Sequence, residues 1–515
     1  MQDFLQANRL SFSYESSIEP LFENITFQLQ RGWTGIVGAN GSGKTTLLKL
    51  LCGLLQPDKG LIVPQDGSAV YCEQRMDSMP AGLTDFLQSA DREALRIKRS
   101  LQIKRDWARR WETLSHGERK RCQIGAALAT GASVLALDEP TNHLDLYTRA
   151  ILFRALRKFK GLGLLVSHDR GYLDNLCHHT LFLIPPRIEI RKSSYTVAVR
   201  DMENFNLYLK DRYRIAKKEV KKLKRKVIQH RDKAMAAKRQ TSKKRISRRN
   251  HDAKSKIDLA RLSGKDGVEG RIQRRLMSQL DQARMRRDAL QYRDTSPLGI
   301  TFEAGPWTHL YPLTIPAASL SLGGIRLLSV PELTVQQGDR IGIAGENGSG
   351  KTTFIRHLIK RLDLQGDTLL YIPQEIPEDD ARTIIARTHA LDRKEKGQLM
   401  TIVSRLGSDP NPMLTTEIPS PGETRKLMLA FGLIRKPALI IMDEPTNHMD
   451  LPSIECLENA LEICNITQIL ISHDQTFLTR LGTSFWLTER QDRRIYRMSV
   501  KGQLPGGGDL QSYMS

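Results

Sequence analysis

The sequence predicts an α/β protein in which two tandem copies of one domain are joined by a long, basic, antiparallel α-helical hairpin. A set of short motifs occurs twice along the chain, and three of these motifs recur after the same interval of 305 residues. An interval that stays constant over several motifs indicates a duplicated domain. The second observation is that nearly all of the net positive charge lies between the two copies.

The composition is typical of a globular protein. Of the 515 residues, 40% are hydrophobic and 26% are charged, which is enough apolar material for buried cores. No run approaches the ~18 consecutive apolar residues of a membrane-spanning helix, and the first residues lack the pattern of a secretory signal. The six cysteines form no CxxC pair, which argues against zinc and iron–sulfur sites and fits a reducing compartment.

Each copy contains a glycine-rich loop of the GxxxxGK[ST] type. Both loops follow an apolar, strand-like run and precede a helical pattern, which is the context that a phosphate-binding loop requires. The glycines let backbone N–H groups surround phosphate oxygens, the lysine adds a positive charge, and the threonines offer hydroxyls to Mg²⁺. The predicted residues are Gly38, Asn40, Gly41, Ser42, Gly43, Lys44, Thr45 and Thr46, and Gly345, Asn347, Gly348, Ser349, Gly350, Lys351, Thr352 and Thr353.

Two acidic residues and a histidine follow in each copy. An apolar run ends in Asp-Glu, and a second apolar run ends in Ser-His-Asp with the histidine 29 residues after the glutamate. At the carboxyl end of a buried parallel strand, the aspartate can bind Mg²⁺ and the glutamate can accept a proton from attacking water. An Asp-Glu pair could instead cap a helix, but Pro-Thr-Asn-His follows it in both copies. The predicted catalytic residues are Glu139, His168, Glu444 and His473, and the predicted metal-binding aspartates are Asp138 and Asp443.

The segment between the copies is strongly basic. Residues 205–293 hold 30 Lys or Arg and 9 Asp or Glu, which is a net charge of +21 out of +22 for the whole chain. A solvated helix face normally mixes both signs, so this segment predicts a polyanionic partner. Nucleic acid is favoured over an anionic membrane because residues 214–291 contain no Trp or Phe anchor.

The same segment carries helical spacing. Apolar residues spaced alternately four and three apart predict a coiled-coil seam, and a looser stripe follows later in the segment. We therefore predict two antiparallel helices with a tip within residues 238–270. The first seam comprises Leu209, Tyr213, Ala216, Val220, Leu223 and Val227, and the second comprises Ile272, Leu276, Leu280, Ala283 and Leu290. The expected RNA contacts near the tip are Lys238, Arg239, Lys243, Lys244, Arg245, Arg248, Arg249, Lys254 and Lys256.

Taken together, these motifs resemble the ATP-binding cassette family, and two cassettes with EPTNH-L/M-D in both copies resemble its ABC-F subfamily. The resemblance implies a fold of two tandem ABC-type P-loop nucleotide-binding domains. It also implies a Q-loop glutamine, an LSxGE-type signature and an aromatic residue that stacks on adenine. Gln74 and Gln374 correspond to the Q-loop glutamine and would also contact Mg²⁺. The signature residues are Ser115, Gly117 and Glu118 in the first copy and Ser420, Gly422 and Glu423 in the second. Tyr14 corresponds to the aromatic residue that stacks on adenine.

By this resemblance, the cassettes clamp head to tail around two ATP molecules with Mg²⁺ and hydrolyse them. The site of Lys44 would be completed by the signature at Ser420, and the site of Lys351 by the signature at Ser115. Where Tyr14 stands in the first copy, the second has no aromatic residue, unless Trp307 or Tyr311 takes its place. The second signature carries Pro421, which fits the first turn of a helix but removes one N–H. We therefore expect two unequal sites.

HDAKSKIDLA and SGKDG in the basic segment resemble linkers in the antibiotic-resistance branch of the subfamily. This resemblance implies a cytoplasmic, ribosome-associated monomer whose cassettes, residues 1–200 and 299–515, close on each other when ATP is bound. The bacterial ribosome would be the partner. The protein would occupy its E site, near rRNA and tRNA, and insert the linker, residues 201–298, toward the peptidyl-transferase centre to displace antibiotics.

Three other functions are alternatives to the hypothesis of ribosome protection. A housekeeping ABC-F translation factor would share the fold and the chemistry, but the short interval between phosphate loop and Q-loop leaves no room for the arm that some of these factors insert. DNA-associated ATPases with a coiled coil usually interrupt one cassette with it, whereas here each cassette is whole. A transporter motor would not explain a linker with a net charge of +21.

Overall fold

The structure is a computed structural model, and the residues it describes fall into two units. The first unit contains residues 1–198 and 297–515, and the second contains residues 199–296. We call the two copies within the first unit the first and second repeats. The described residues are 4–15, 20–63, 69–76, 78–80, 82–142, 144–185, 187–240, 265–290, 311–324, 326–362, 368–408, 420–447, 449–492 and 494–504.

The first repeat alternates strands and helices. Its strands are β1 (Phe4–Phe12), β2 (Phe22–Gln30), β3 (Gly32–Val37), β4 (Lys59–Val63), β5 (Ala69–Cys72), β6 (Val134–Asp138), β7 (Leu162–Val166), β8 (His179–Ile184) and β9 (Arg187–Arg191). Its helices are α1 (Lys44–Leu51), α2 (Leu83–Gln88), α3 (Arg92–Ser100), a 3-10 helix (Arg105–Thr113), α4 (His116–Ala129), α5 (Leu146–Leu156) and α6 (Arg170–Leu176).

A parallel sheet forms the centre of this repeat. Its strand order is β5-β6-β7-β3-β8-β9, in which β9 alone runs antiparallel to its neighbour, and β2-β1-β4 forms a separate antiparallel sheet. Every residue of β6 and β7 is buried, as continuous apolar runs require in a parallel sheet covered on both faces. Asp138 pairs with Val166 at the ends of these strands, so the loops that follow them begin at the same edge.

The second repeat has the same plan. Its strands are β10 (Leu313–Ile315), β11 (Ala318–Leu322), β12 (Arg326–Val330), β13 (Leu333–Val335), β14 (Arg340–Gly345), β15 (Leu369–Ile372), β16 (Leu439–Asp443), β17 (Thr467–Ile471), β18 (Ser484–Arg490) and β19 (Ile495–Lys501). The sheet order is β11-β12-β19-β18-β14-β17-β16-β15, and β10 pairs with β13. The parallel strands β15-β16-β17-β14-β18 correspond to β5-β6-β7-β3-β8 of the first repeat.

The second unit contains two long helices, α7 (Tyr195–Gln240), which begins in the first unit, and α8 (Lys265–Ala289). One buried cluster joins the two helices, and it consists of Val220, Val227, Leu280 and Ala283. Leu223 and Leu276 are partly buried and pack against this cluster. The predicted seam is therefore confirmed at these six positions. The predicted tip lies largely outside the described residues, as do its RNA contacts from Lys243 to Lys256. Lys238 and Arg239 lie in the last turn of α7.

The remaining helices of the second repeat are α9 (Lys351–Leu362), α10 (Glu378–Ala390), α11 (Arg393–Arg405), α12 (Pro421–Ile434), α13 (Leu451–Ile463) and α14 (Gln475–Leu481). Across the described part of the chain, no helix combines the length and the apolarity needed to cross a membrane.

Candidate functional site

Each predicted phosphate loop joins a central strand to a helix. The first loop connects β3 to α1, and its Gly43 has a φ of 94°. A Cβ at Gly43 would lie 2.8 Å from Phe22 Cζ, and a Cβ at Gly350 would lie 2.7 Å from Leu322 Cδ2. Both the left-handed backbone and the close neighbours require glycine at these two positions. The two loops therefore have the same local geometry.

The lysine of each loop is folded against the loop backbone. Lys44 Nζ donates to the carbonyls of Gly38 and Ala39, at 2.9 Å each. Lys351 Nζ donates to the corresponding carbonyls, those of Gly345 and Glu346, at 2.8 and 2.9 Å. Burial lowers the pKa of both lysines, and nearby carboxylates act in the opposite direction. The ammonium group is thus held at the centre of a loop that can bind an anion.

The first acidic residue of each pair meets a phosphate-loop hydroxyl. Thr45 Oγ1 donates to Asp138 Oδ2 at 2.7 Å, and Thr352 Oγ1 donates to Asp443 Oδ2 at the same distance. Asp443 Oδ1 is buried and has no hydrogen-bond partner. These oxygens are the hard ligands that Mg²⁺ prefers, with the remaining positions left to phosphate oxygens and water. The described residues contain no group of three His, Cys, Asp or Glu side chains suited to a metal.

The second acidic residue of the first repeat is fixed beside its histidine. Glu139 has a φ of 45°, and its Oε2 accepts a hydrogen bond from the backbone N–H of His168 at 3.2 Å. His168 Nε2 lies 3.1 Å from Glu139 Oε1. Burial raises the pKa of Glu139 to about 8, while Lys44 acts to lower it. Burial, and then the charge of Lys44, lower the pKa of His168 to about 3, so its imidazole is neutral at physiological pH.

The second repeat reproduces this arrangement with differences. Glu444 has a φ of 51°, and its Oε2 accepts from the backbone N–H of His473 at 3.2 Å. His473 Nε2 lies 2.8 Å from Asn347 Oδ1 and 3.5 Å from Glu444 Oε1. Burial raises the pKa of Glu444 to about 7, and the charges of Lys351 and Arg149 act in the opposite direction. The two glutamates therefore stand in unequal electrostatic environments.

A cavity of about 750 Å³ opens over the second phosphate loop. Its walls contain most of the residues predicted for the second site, and the others are Leu322, Gly323, Arg326, Asn447 and Arg149. Tyr311 does not supply the missing aromatic surface, because its hydroxyl donates to the Ala438 carbonyl at 2.9 Å and its ring packs on the core. Trp307 lies outside the described residues. The predicted residues in the walls are Asn347, Gly348, Gly350, Lys351, Thr352, Thr353, Gln374, Asp443, Glu444 and His473.

In the first repeat, an aromatic side chain does reach the phosphate loop. Tyr14 Oη lies 2.8 Å from Thr46 Oγ1, within hydrogen-bond distance, and the ring meets Phe12 edge to face. The Tyr14 side chain remains 45% exposed, which leaves part of its surface available to a planar ligand. Adjacent to this loop, Tyr71 donates its hydroxyl to Asp138 Oδ2 at 3.0 Å.

The predicted signature residues begin helices α4 and α12 with matching capping boxes. Ser115 Oγ accepts from the Glu118 N–H, and Glu118 Oε2 accepts from the Ser115 N–H at 2.9 Å. Ser420 and Glu423 repeat this pair, and Pro421 occupies the first turn, as expected. Gly117 and Gly422 lie in the same first turns. The described walls of the second cavity include no signature residue, so the pairing of each signature with the opposite site stays a prediction.

A basic residue behind each signature holds the Q-loop backbone. Lys120 Nζ donates to the carbonyls of Glu73 and Gln74, at 2.7 and 3.3 Å, and Arg425 donates to the Gln374 carbonyl. Sequence reasoning missed both residues. The available signal was that a basic side chain stands at both positions, which are separated by the same 305 residues as the signature serines.

Residues of the two repeats also meet directly. The backbone N–H of Asn40 donates to Asp450 Oδ2 at 2.7 Å, and Arg149 Nη1 donates to the His473 carbonyl at 3.1 Å. Arg170 Nη1 donates to both carboxylate oxygens of Glu458 at 3.0 Å. Each repeat therefore contributes groups to the surroundings of the other repeat's predicted site.

Comparison with known proteins agrees with this architecture. Residues 22–142 and 328–447 match the family described as ABC transporter. The ribosome protection protein VmlR of Bacillus subtilis (strain 168) is 28% identical over 489 residues, which are 92% of this chain and 84% of VmlR. The erythromycin resistance ATP-binding protein MsrA of Staphylococcus epidermidis is 26% identical over 467 residues, which are 88% and 91% of the two chains.

Among solved structures, the protein titled RNase-L Inhibitor has the same fold, with a TM-score of 0.61 at 19% identity over 96% of this chain and 91% of that one. Both repeats are thus ATP-binding cassettes, and the prediction of two tandem nucleotide-binding domains of the ABC-F kind is confirmed. Each half of this chain therefore contains an ABC transporter domain, and these domains are ATP-hydrolysing cassettes.

Proposed function

We propose that this protein binds the bacterial ribosome in its ATP-bound form and protects it from antibiotics. The observation that carries the proposal is the position of the basic hairpin, with a net charge of +21, between two ATP-binding cassettes. Support comes from VmlR and MsrA, whose names describe ribosome protection and erythromycin resistance. Both align with most of this chain, including the region between the cassettes.

The two cassettes form two ATP sites in this proposal. In the first, Lys44 contacts the phosphates, Glu139 accepts a proton from the attacking water, and His168 contacts the γ-phosphate. The matching residues of the second site are Lys351, Glu444 and His473. Mg²⁺ would be held by Thr45, Gln74 and Asp138, and by Thr352, Gln374 and Asp443, and it neutralises phosphate charge when bound. Ser420 completes the first site and Ser115 the second when the cassettes close.

The contact between Asn40 and Asp450 supports this head-to-tail closure. It joins the first phosphate loop to the N-cap of α13 in the second cassette, so nucleotide at that loop lies next to the partner cassette. ATP then favours the closed arrangement because it binds groups from both cassettes, and hydrolysis removes that preference. We propose that this cycle controls when the hairpin is held on the ribosome.

The hairpin carries the nucleic-acid contacts in this proposal. We retain residues 201–298 as the linker between cassettes 1–200 and 299–515. Lysines and arginines contact the RNA backbone, which is the main feature that proteins read in double-stranded RNA. The protein acts as a cytoplasmic monomer at the E site, and its tip reaches toward the peptidyl-transferase centre near rRNA and tRNA. Bound antibiotic leaves through contact with the tip or through a shift of rRNA or tRNA.

A cell-free bacterial translation reaction tests this function. The reaction is inhibited by a lincosamide, a pleuromutilin, a phenicol or a streptogramin A compound, and the purified protein is then added with ATP. We expect synthesis to recover with at least one of these drugs. Alanine at Lys243, Lys244 and Arg245 should abolish recovery and leave the ATPase activity intact. Alanine at Lys217, Lys218 and Lys221, which are exposed on α7, is the control with the same loss of charge.

Two outcomes would contradict the proposal. The first is that the intact protein restores synthesis with none of the four drug classes. The second is that the tip variant and the control variant protect equally well, which would remove the proposed role of the tip.

A further inference from the structure

Arg149 is held in a fixed position at the start of α5. Asp145 caps this helix by accepting a hydrogen bond from the Thr148 N–H at 2.8 Å. The Arg149 carbonyl accepts a hydrogen bond from the hydroxyl of Tyr172, which is fully buried. The backbone of Arg149 is therefore tied both to its own helix and to α6, and its side chain leaves the first cassette from a rigid base.

The guanidinium of Arg149 crosses to the second cassette. Its Nη1 donates to Asp169 Oδ2 and to the carbonyl of His473, both at 3.1 Å. Asp169 is itself fixed, because its Oδ1 caps α6 by accepting from the Tyr172 N–H. The Arg149 side chain is 11% exposed, and its Nε is buried with no hydrogen-bond partner. A guanidinium in this position offers both charge and further donors.

Arg149 also forms part of the wall of the second phosphate cavity. It lies there with Lys351, Glu444 and His473, and it is supplied by the other cassette. A cation beside the phosphate-binding groups stabilises the negative charge that develops on the transferred phosphoryl group. Through the His473 carbonyl, it also fixes the backbone of the histidine assigned to the γ-phosphate.

In the second cassette, the position that corresponds to Arg149 holds no arginine. The interval of 305 residues places Ile454 at the position of Arg149, and Ile454 is buried at 1% exposure among apolar side chains of the second cassette. The contact that the second cassette makes with the first phosphate loop comes from the carboxylate of Asp450. Its counterpart in the first cassette, Asp145, acts on the charge of Lys351, so both ATP sites receive a carboxylate from the partner cassette and the second site receives Arg149 as well.

We propose that Arg149 is a positioning residue that acts in trans on the second ATP site, so that hydrolysis there depends on docking of the first cassette. This inference rests on the assignment of the two ATP sites made above. Arg149 holds His473 through its backbone and adds positive charge to the cavity. When the cassettes separate, both effects are lost at the second site. The first site does not depend on Arg149.

The test separates the two sites by removing one water-activating carboxylate at a time. Glu139→Gln leaves only the second site able to hydrolyse ATP, and Glu444→Gln leaves only the first. Arg149→Ala and Arg149→Lys are placed in each background, and kcat and KM for ATP are measured. The control is Arg154→Ala, because Arg154 is exposed on the same helix and is absent from the described walls of the second cavity.

We expect Arg149→Ala to lower kcat at the second site by at least about tenfold, yet by less than the ~10³-fold typical of an arginine that contacts the transferred phosphoryl group. The KM for ATP should change less than kcat, because Lys351 and the loop backbone still bind the phosphates. Arg149→Lys should recover part of the loss. The first site should keep its activity, which also shows that the variant folds.

Equal losses at both sites would overturn the inference, because they would assign Arg149 to the general stability of the interface. Unchanged kcat at the second site would overturn it as well. If the parent protein with Glu139→Gln hydrolyses no ATP, the proposed assignment of a working second site fails, and the inference fails with it. If that parent is active, the assignment of a working second site stands, and the Arg149 variants test only the role of Arg149.

Discussion

The backbone N–H of Asn40 in the first cassette donates a hydrogen bond of 2.7 Å to Asp450 Oδ2 in the second cassette. Asp450 Oδ1 meanwhile accepts from the Ser453 N–H at 3.0 Å and caps α13. One carboxylate therefore fixes a helix of its own cassette and contacts the phosphate loop of the other. This link makes the first ATP site sensitive to the position of the second cassette.

Replacing Asp450 with alanine should impair the first site. With Glu444→Gln present, so that only the first site works, we expect kcat/KM to fall about tenfold, because a hydrogen bond to a charged group is lost. The helix cap is lost as well, at a cost of ~1 kcal/mol in stability. Steady-state ATPase assays and thermal unfolding measure the two effects.

Asp145→Ala is the matched control for this prediction. Asp145 stands at the same place in the first cassette and caps α5 through the Thr148 N–H. Its loss should lower stability to a similar extent and spare the first site. If both variants reduced first-site activity equally, the contact with Asn40 would not be responsible.

Removing the ammonium group of Lys120 should loosen the first Q-loop. This fully buried side chain donates to the carbonyls of Glu73 and Gln74 and to Gln123 Oε1. Lys120→Met fills the space but leaves buried acceptors unpaired, so we expect a loss of ~1–3 kcal/mol in unfolding free energy. ATP affinity at the first site should also weaken, and both changes are measurable by denaturant titration and nucleotide binding. Unaltered ATP affinity would contradict the proposed role of this residue.

The pH dependence of stability should report the two buried glutamates. Burial raises the pKa of Glu139 from 4.5 to about 8 and that of Glu444 to about 7. A raised folded-state pKa contributes stability that is complete below about pH 4.5 and is lost as the pH rises to about 8. Glu139→Gln keeps an oxygen that can accept from the His168 N–H but cannot ionise.

We therefore expect the thermal midpoint of Glu139→Gln to exceed that of the parent by an amount that grows between pH 5 and pH 9. Differential scanning calorimetry over this range measures it. A difference that is constant with pH, or that shrinks as the pH rises, would show that Glu139 is not buried as a raised-pKa carboxyl group.

The buried ion pair between the cassettes should contribute to their association. Glu458 is fully buried and accepts from Arg170 of the first cassette and from Arg480 of its own. Glu458→Ala removes the nearer carboxylate from the buried Arg170 and leaves it only the longer ion pair with Glu455 at 3.9 Å, so we expect a loss toward the ~3–5 kcal/mol typical of a broken buried ion pair. The exposed partner of Arg480, Glu462, is the control, and Glu462→Ala should cost less than ~1 kcal/mol. Similar losses of stability in both variants would contradict this assignment.

Local motifs made the phosphate loops and the central strands predictable. Val134–Asp138 and Leu439–Asp443 form strands as expected, because buried parallel strands are continuous apolar runs. The linker helices followed from the four-three spacing, although α7 begins at Tyr195, within the first unit, and reaches 46 residues. The first turn of α7 packs on the cassette through Tyr195 and Ala198. Because the preceding strand is also partly apolar, these two residues do not mark the start of the helix in the sequence.

Contacts between the cassettes could not be predicted in the same way. Arg149 and Arg170 have no counterparts after 305 residues, where Ile454 and Gln475 stand. Comparing the two copies identifies only residues that recur, so it does not identify these two arginines. Lys120 and Arg425 recur in both copies, but a basic residue on a helix is usually solvated. Only their burial and their hydrogen bonds in the structure show that they hold the Q-loop backbone.

Sedimentation shows whether ATP controls the attachment of this protein to the ribosome. Glu139→Gln combined with Glu444→Gln should keep ATP bound and the cassettes closed. A bacterial lysate containing this variant is run on a sucrose gradient with and without ATP, at 50 and 200 mM salt. We predict that the protein travels with intact ribosomes only when ATP is present, and more weakly at the higher salt because phosphate contacts are screened. If the protein remains at the top of the gradient with ATP, or follows DNA or membranes, ATP does not attach it to the ribosome.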